Sequence, residues 1–116
     1  MNLSTIKGVR MEAIAACVPS NKVDNYKFAE EHFTDDFSAT LKALGVAERH
    51  VAVKEDTTAL TMAIKAAEKL FDDGSIMKEE IGAVIMVTLS PDYLMPNNAT
   101  YAQYLLGLSK DIAAYD

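Results

Sequence analysis

The clearest hydrophobic pattern lies in the last third of the chain, where residues 83–87 form an unbroken apolar run. The run is rich in β-branched residues and is bounded by Gly82 and a polar loop, which predicts a strand buried on both faces. A loop with two prolines follows, and the pattern then predicts a helix from near Asn98 to Gly107 and a short strand over 112–115. A strand–helix–strand unit of this kind is typical of parallel sheets.

The first third of the chain carries weaker patterns. Residues 6–18 predict a first strand, because apolar and polar residues alternate before the segment becomes wholly apolar. Asp24 or Asn25 is expected to cap a short helix that ends at His32, since both side chains accept hydrogen bonds from free backbone N–H groups. The sequence therefore predicts a strand followed by a short helix in this region.

Capping residues and helical spacing indicate two more helices. Ser38 is expected to cap a helix that ends at Gly45. The longest helix is expected to begin at Thr57 or Thr58 and to run to about Asp73, with apolar residues along one face. Taken together, the elements follow a β-α-β-α-β order, which predicts one α/β domain with three strands and helices packed on the sheet.

Composition and charge narrow the function. Half of the 116 residues are hydrophobic, and the formal net charge is −6. An acidic chain lacks the basic patch that nucleic acid or an anionic membrane surface requires. No apolar run approaches the roughly 20 residues of a membrane helix, and a single cysteine fits a reducing compartment. We therefore expect a cytoplasmic protein that binds neither nucleic acid nor membrane.

The residue types that often carry catalysis do not form a catalytic set in this sequence. Cys17, the one cysteine, lies in an apolar stretch and is expected to be a buried hydrophobic residue rather than a thiolate nucleophile. His32 and His50 lack partners at the spacing of a catalytic pair or a metal site. The five glycines are too dispersed for a phosphate-binding loop. The sequence predicts no catalytic residue, no metal site and no cofactor in this chain.

The two predicted parallel strands indicate where chemistry should lie. Ligands of such sheets bind beyond the carboxyl ends of the strands. These ends are followed by residues 88–92 and by the position after Asp116. The loop after the first of these strands contains Pro91 and Pro96, which stiffen it, so it is expected to form the wall of a pocket.

Seven short motifs occur along the chain in a characteristic order. They are a strand that ends in Pro19, Asn25 before a short helix, GVAERH at 45–50, an acidic, threonine-rich helix start at 55–58, VTLSPDYLMP at 87–96, Gln103 with LLGL at 105–108, and a strand that ends at Asp116. In this order they resemble the N-terminal part of β-ketoacyl-ACP synthase III, a family of thiolase-like condensing enzymes. The resemblance covers essentially the whole chain.

The resemblance implies a fold and an activity. The fold would be an incomplete thiolase-like half, in which residues 1–116 supply three strands of a mixed five-stranded sheet and stop before the catalytic cysteine. The whole enzyme would be an acyltransferase that moves an acyl group from acyl-CoA or acyl-ACP to that cysteine. It would then condense the acyl group, with decarboxylation, with malonyl-ACP in fatty acid or related biosynthesis. A homodimer is implied as well, and residues 1–116 alone are predicted to be inactive.

The resemblance also indicates three substrate-binding residues. In the family, the residue before the second loop proline helps to close the acyl channel of the partner subunit, and Met95 has that position here. Members that use CoA carry Trp and Arg ahead of the glycine that matches Gly45. In this chain Phe37 and Lys42 are the residues for such a contact, and Ala43 stands where the arginine is expected. Because neither offers the planar fork of arginine, acetyl-CoA and another acyl donor both stay open.

A second interpretation, from another class of function, also stays open. The chain would be a naturally short, non-catalytic protein that dimerises or binds an acyl ligand and keeps the pocket loop without the chemistry. Under either interpretation, a sheet built from residues 1–116 alone would have an unpaired edge and exposed apolar surface. We therefore predict that this polypeptide by itself is marginally stable or obligately associated.

Overall fold

The computed structural model describes residues 7–54 and 56–116 and shows a mixed α/β fold. In the described residues the strands form two separate two-stranded sheets. The elements in chain order are β1 (Asn21–Asp24), α1 (Asn25–His32), α2 (Ser38–Leu44), β2 (Glu48–Val51), α3 (Ala59–Asp72), a 3-10 helix (Lys78–Glu80), β3 (Ala83–Ile85), α4 (Asn98–Leu105) and β4 (Ala113–Tyr115).

The second half of the chain forms the predicted strand–helix–strand unit. Strands β3 and β4 are parallel, with Ala83 opposite Ala113 and Ile85 opposite Tyr115. Helix α4 connects them and packs against both. Gly107 follows the helix with a φ of 65°, a left-handed conformation that glycine adopts without strain. The prediction for this region is confirmed.

The core lies between α3, α4 and the β3–β4 sheet. Thr58 caps α3 by accepting a hydrogen bond from the backbone of Thr61, and the side chain of Thr61 accepts one in return from the backbone of Thr58. This start places the apolar face of α3 against the core. The buried hydrophobic residues form one cluster: Leu60, Met86, Ala99, Ala102, Leu106 and Leu108. None of the helices in the described residues is long and apolar enough to span a membrane.

The first half of the chain forms a small antiparallel sheet that the sequence did not predict. Strand β1 pairs with β2, and Lys22 Nζ lies 2.8 Å from Glu48 Oε2 across the pair. The sequence predicts no strand over residues 21–24, because three of the four residues are polar and they form no apolar run. The pairing forms through the backbone, and only Val23 in β1 is shielded from solvent in part.

The structure does not confirm the predicted strand at 6–18. Residue 6 lies outside the described residues, and residues 7–18 form neither helix nor strand. Val9, Met11 and Ile14 are 77%, 78% and 80% exposed. A strand needs a neighbour that pairs with its backbone groups, and no strand of the described residues pairs with this segment. For the same reason the predicted three-stranded sheet is not confirmed, and two pairs of strands are seen in its place.

The prediction that residues 83–87 are buried on both faces was wrong. Val84 and Met86 face the core, whereas Ile85 is 71% exposed and Val87 is 93% exposed. Helix α4 covers one face of the sheet, and no element of the described chain covers the other. Ile85 of β3, Tyr115 of β4 and Val87, which lies two residues beyond the end of β3, are exposed, and we call these three residues the uncovered apolar sheet face.

The predicted helix starts are confirmed except at α2. Asp24 caps α1 by accepting hydrogen bonds from the backbone N–H groups of Tyr26 and Lys27. At α2, Ser38 is the first helical residue and not the cap. Its backbone N–H donates to Asp36 Oδ1 at 2.8 Å, so the carboxylate two residues earlier fixes this helix start.

Asn25 links the start of α1 to the segment before β2. Its backbone N–H donates to Ala47 O and its side-chain Nδ2 donates to Val46 O, both at 2.9 Å. Its Oδ1 accepts a hydrogen bond from Arg49, whose guanidinium also lies 4.3 Å from the centre of the Phe28 ring. Asn25 is buried, so its side-chain amide depends on these protein partners rather than on water.

Replacement of Asn25 by alanine is expected to lower the free energy of unfolding by about 1–3 kcal/mol, because it removes both side-chain hydrogen bonds of a buried amide. The measurement is urea-induced unfolding of the whole protein. Asn21→Ala, an exposed asparagine in β1, is the matched control and should change the stability by less than about 0.5 kcal/mol. Equal midpoints for the two variants would contradict the assigned role of Asn25.

Candidate functional site

The carboxyl ends of β3 and β4 lie side by side because the two strands are parallel. Residues 86–97, which we call the post-β3 loop, leave β3 there and lead to α4. Near its start, Ser90 N–H donates to Thr88 Oγ1 at 3.0 Å. At its end, Asn97 caps α4 by accepting a hydrogen bond from Thr100 N–H at 3.0 Å. The loop is therefore held at both ends by its own side chains.

Asp116 ties the end of β4 to the start of α4. One carboxylate oxygen accepts a hydrogen bond from the backbone N–H of Asn98 at 2.7 Å, and the other accepts one from Ala99 at 2.6 Å. These N–H groups are among those that a helix leaves unpaired at its first turn. The negative charge also lies at the positive end of the helix dipole. Asp116 thus fixes the direction in which the chain leaves β4.

Gln103 holds the opposite end of the same unit. Its Nε2 donates to Ser109 O at 2.7 Å and to Ile112 O at 3.4 Å, so it fixes the turn between α4 and β4. Helix α4 therefore runs antiparallel to β4, with Gln103 beside the beginning of the strand and Asn98 beside its end. This geometry gives a structural reason for the glutamine in the sequence motif.

An open cleft of about 550 Å³ lies at this edge, between the start of α3 and the post-β3 loop. Residues 90–93 line one side and residues 57–59 line the other. Tyr93 is fixed by stacking on Tyr101, with 4.9 Å between the ring centroids. The Oδ1 atom of Asp92 is buried and has no hydrogen-bond partner among the described residues. The loop therefore does form one wall of a cleft, as its position in the sequence indicates.

Met95 lies in the post-β3 loop but is not among the residues that line the cleft between this loop and α3. Its side chain is 87% exposed, and the Met95–Pro96 peptide bond is cis. An exposed position is compatible with a contact to a second subunit, but it does not test one. The role of Met95 in substrate binding stays a prediction.

Phe37 lies in another cleft, of about 480 Å³, between α1 and α2. Lys42 does not line this cleft, whereas the carboxylates of Glu30, Asp35 and Asp36 do. Hydrogen bonds from the side chain and the backbone of Ser38 hold the pKa of Asp36 below its ordinary value, so this carboxylate is ionised at neutral pH. The cleft is thus acidic, which opposes the binding of phosphate groups at Phe37.

The three predicted substrate-binding residues are not brought together. Phe37 lines the α1–α2 cleft, whereas Met95 and Lys42 do not line it. Cys17 lines a third cleft, of about 270 Å³, together with Lys54 and Lys65. Its thiol is partly exposed, and the segment around it is not a strand, so the prediction of a buried strand residue is not confirmed.

Asn98 is the residue of this edge that the sequence analysis missed. It is 0% exposed, which is unusual for an asparagine at a helix start. The sequence does contain a signal that Asn98 has a separate role. Two asparagines, Asn97 and Asn98, stand at the start of α4, although one capping residue is sufficient. The second asparagine therefore needs an explanation other than capping.

Comparison with curated proteins finds relatives over most of the chain. β-Ketoacyl-[acyl-carrier-protein] synthase III 2 of Lactiplantibacillus plantarum is 35% identical over 101 residues, which are 87% of this chain and 30% of that protein. β-Ketoacyl-[acyl-carrier-protein] synthase III of Campylobacter concisus is 37% identical over 105 residues, which are 90% of this chain and 30% of that protein. The chain thus spans about a third of the length of these relatives. No protein-family profile matches it.

Comparison with solved structures gives the same picture. A 3-oxoacyl-(acyl-carrier protein) synthase from Burkholderia xenovorans superposes with a TM-score of 0.75 at 34% identity, over 89% of this chain and 30% of that one. The tetronic acid condensing enzyme AbyA1 superposes with a TM-score of 0.71 at 28% identity, over 90% of this chain and 33% of that one. The fold of the described residues is therefore similar to part of these enzymes.

Proposed function

This chain is related in sequence and fold to the N-terminal part of β-ketoacyl-ACP synthase III, a thiolase-like condensing enzyme, and we propose that the whole protein has that enzyme's type of activity. Residues 1–116 would supply the β3–α4–β4 scaffold and one wall of the substrate site. The reactive cysteine would follow β4 by a few residues. By themselves, these 116 residues would be inactive.

The observation that carries the proposal is the geometry at the carboxyl edge of β3 and β4. The parallel pairing places the post-β3 loop beside the point where the chain leaves β4. Asp116 then binds the first turn of α4, which fixes that exit. A nucleophile shortly after Asp116 would then lie close to a substrate held by the post-β3 loop. This is the place where ligands of parallel sheets usually bind.

The proposed reaction has two steps. First, the cysteine thiolate attacks the thioester carbonyl of acyl-CoA or acyl-ACP, and the CoA or ACP thiolate leaves. Second, malonyl-ACP loses CO₂, and the resulting carbanion attacks the acyl-cysteine carbonyl. The product is a β-ketoacyl-ACP, and the cysteine leaves as a thiolate. Within residues 1–116, Met95, Phe37 and Lys42 stay the proposed binding residues, although the acidic α1–α2 cleft disfavours a phosphate of CoA beside Phe37.

Acyl transfer to cysteine can be tested by incubating the whole protein with acetyl-CoA and, separately, with a medium-chain acyl-CoA. We expect intact-mass spectrometry to show one added acyl group, and prior treatment with iodoacetamide to abolish it. Parallel reactions with acyl-ACP identify the donor. If neither acyl-CoA nor acyl-ACP adds a group to a cysteine, the proposed activity is wrong.

A specific prediction concerns Met95. In the proposed homodimer, Met95→Trp narrows the acyl channel of the partner subunit, so kcat/KM for dodecanoyl-CoA should fall about tenfold or more relative to acetyl-CoA. Leu94→Trp is the matched control, because Leu94 is adjacent and 94% exposed. If both variants keep the wild-type ratio of kcat/KM for dodecanoyl-CoA to kcat/KM for acetyl-CoA, Met95 does not line the channel.

The non-catalytic alternative is favoured by one observation, the uncovered apolar sheet face, which would suit a self-associating protein. The mass of the native protein in its source cells separates the two proposals. The relatives are about three times as long as this chain, so a species near three times 12.7 kDa supports the enzyme. A species of 12.7 kDa supports the short binding protein.

A further inference from the structure

Asp92 has an unpaired carboxylate oxygen beside the cleft between α3 and the post-β3 loop. Its Oδ1 atom is buried, and no donor within residues 7–54 and 56–116 pairs with it. Buried oxygen atoms of side chains are nearly always bound by N–H or O–H donors, because an unpaired one keeps its whole desolvation cost. The carboxylate of Asp92 therefore calls for donors near this cleft, which it lines.

The opposite wall of the cleft is the start of α3, and this helix start has unpaired donors. The first four N–H groups of a helix have no partner within the helix itself. The cap, Thr58, binds two of them, because its side chain accepts a hydrogen bond from Thr61 N–H and its carbonyl accepts one from Met62 N–H, both at 3.1 Å. In the part of the chain that the structure describes, the N–H groups of Ala59 and Leu60 have no acceptor.

Helix α4 shows how this chain binds the same kind of donors. Its cap, Asn97, accepts a hydrogen bond from Thr100 N–H, the third N–H group of the helix. The first two N–H groups, those of Asn98 and Ala99, are bound by the two oxygens of the Asp116 carboxylate at 2.7 and 2.6 Å. The start of α3 has the same arrangement of cap and third residue, but its first two N–H groups lack the carboxylate.

Asp92 has the chemistry and the place to supply that carboxylate. It is the one acidic residue among the described residues that line this cleft, and Ala59 lies on the opposite wall. Its negative charge is attracted by the positive end of the α3 dipole. Asp56 is nearer to α3 in sequence, but it lines the cleft of Cys17 instead, and its Oδ1 lies 3.4 Å from the hydroxyl of Thr57.

We infer that the post-β3 loop closes on α3 in the whole protein, so that the Asp92 carboxylate accepts hydrogen bonds from the N–H groups of Ala59 and Leu60. The contact has the same form as that of Asp116 with α4. Met95 follows Asp92 by three residues, at most about 11 Å of chain, so the contact fixes the part of the loop with a proposed role in substrate binding. Asp92 is a positioning residue and does not touch the substrate. Its effect on substrate choice rests on the proposed function, whereas the contact itself does not.

Amide hydrogen exchange of the whole protein, read by mass spectrometry at single residues, tests the contact without any need for activity. The N–H groups of Ala59 and Leu60 should exchange about tenfold or more faster in Asp92→Leu than in the wild type, because leucine has no acceptor. Asp92→Asn keeps one side-chain oxygen as an acceptor and should give an intermediate rate. The N–H of Ala67, in the middle of α3, is the internal reference and should exchange at the same rate in all three proteins.

Ser90→Ala is the matched control. Ser90 lines the same wall of the cleft as Asp92, and its replacement removes a polar group but leaves the carboxylate in place. We expect Ala59 and Leu60 to exchange in this variant as they do in the wild type. If Asp92→Leu leaves their exchange unchanged, or if only Asp56→Asn accelerates it, the inference is wrong.

The choice of substrate provides a readout of the loop position that a purely structural role would not change. In Asp92→Leu, the ratio of kcat/KM for dodecanoyl-CoA to kcat/KM for acetyl-CoA should change about tenfold, and Asp92→Asn should stay closer to the wild type. An unchanged ratio together with faster exchange would show that the contact exists but does not position the loop. If the wild type takes up no acyl group, the proposed function fails, and hydrogen exchange still decides whether the contact exists.

A crystal structure of the wild-type whole protein provides a readout that does not depend on how the variants fold. We expect a carboxylate oxygen of Asp92 within about 3.2 Å of the backbone nitrogen of Ala59 or Leu60. If a water molecule or another side chain binds these N–H groups in place of Asp92, the inference is overturned.

Discussion

Substitution of Asp116 by alanine is expected to lower the free energy of unfolding of the whole protein by about 2–4 kcal/mol. The carboxylate is the acceptor for the first two backbone N–H groups of α4, at 2.7 and 2.6 Å. Both donors belong to buried residues, Asn98 and Ala99, and the carboxylate that they bind belongs to an exposed residue, so water offsets only part of the loss. The substitution also removes a negative charge from the positive end of the helix.

Urea-induced unfolding, followed by far-ultraviolet circular dichroism, measures the effect. Asp116→Asn keeps one side-chain oxygen as an acceptor and should lose about half as much stability as Asp116→Ala. Asp111→Ala is the matched control, because Asp111 lies in an exposed turn just before β4, and we expect a change below about 0.5 kcal/mol. If Asp116→Ala and the control unfold at the same urea concentration, the hydrogen bonds that Asp116 accepts do not stabilise the fold.

The parts of the fold that depend on neighbours in sequence were predicted well. Helix α3 begins directly after its cap, Thr58, because its capping box is complete within four residues. Helix α1 begins after Asp24 for the same kind of reason. The parallel pairing of β3 with β4 was also predicted, because a short apolar strand, a helix and a second strand leave a parallel arrangement as the usual solution.

The parts that depend on distant partners were predicted poorly. The apolar alternation at 6–18 is a good strand pattern, yet a strand exists only where another strand meets it. Conversely, β1 and β2 are short and mostly polar, and the pairing of Asn21 with Val51 joins residues far apart in sequence. Residues 83–87 were assigned to a sheet buried on both faces, and the pattern carries no information on whether a second layer covers them.

The sequence predicted at which edge of the sheet the candidate site lies, but it did not predict the contacts between the residues at that edge. Topology alone indicates that residues 88–92 and Asp116 lie at the carboxyl ends of parallel strands. The hydrogen bonds that Asp116 accepts from the first turn of α4 depend on the direction of that helix, which no local pattern fixes. Burial of Asn98 likewise results from the packing of α4 against two strands and α3.

Residues 1–116 produced as a separate polypeptide are expected to self-associate at micromolar concentration. In the uncovered apolar sheet face, Ile85, Val87 and Tyr115 are 71%, 93% and 60% exposed. Ile85 and Tyr115 are register partners, so their side chains lie next to each other on this face. Leu89 and Leu94 of the post-β3 loop are exposed as well, and exposed apolar surface of this kind promotes association.

Light scattering coupled to size-exclusion chromatography measures this association, and we expect a mass well above the 12.7 kDa of one chain. The double variant Ile85→Lys and Val87→Lys should shift the population towards monomer, because two charges interrupt the apolar face. The double variant Thr34→Lys and Thr40→Lys adds the same charge at exposed polar positions away from the sheet and should associate like the wild type. If the wild-type polypeptide is a monomer that melts cooperatively, the uncovered face does not drive association. The fold would then be stable without a partner for that face.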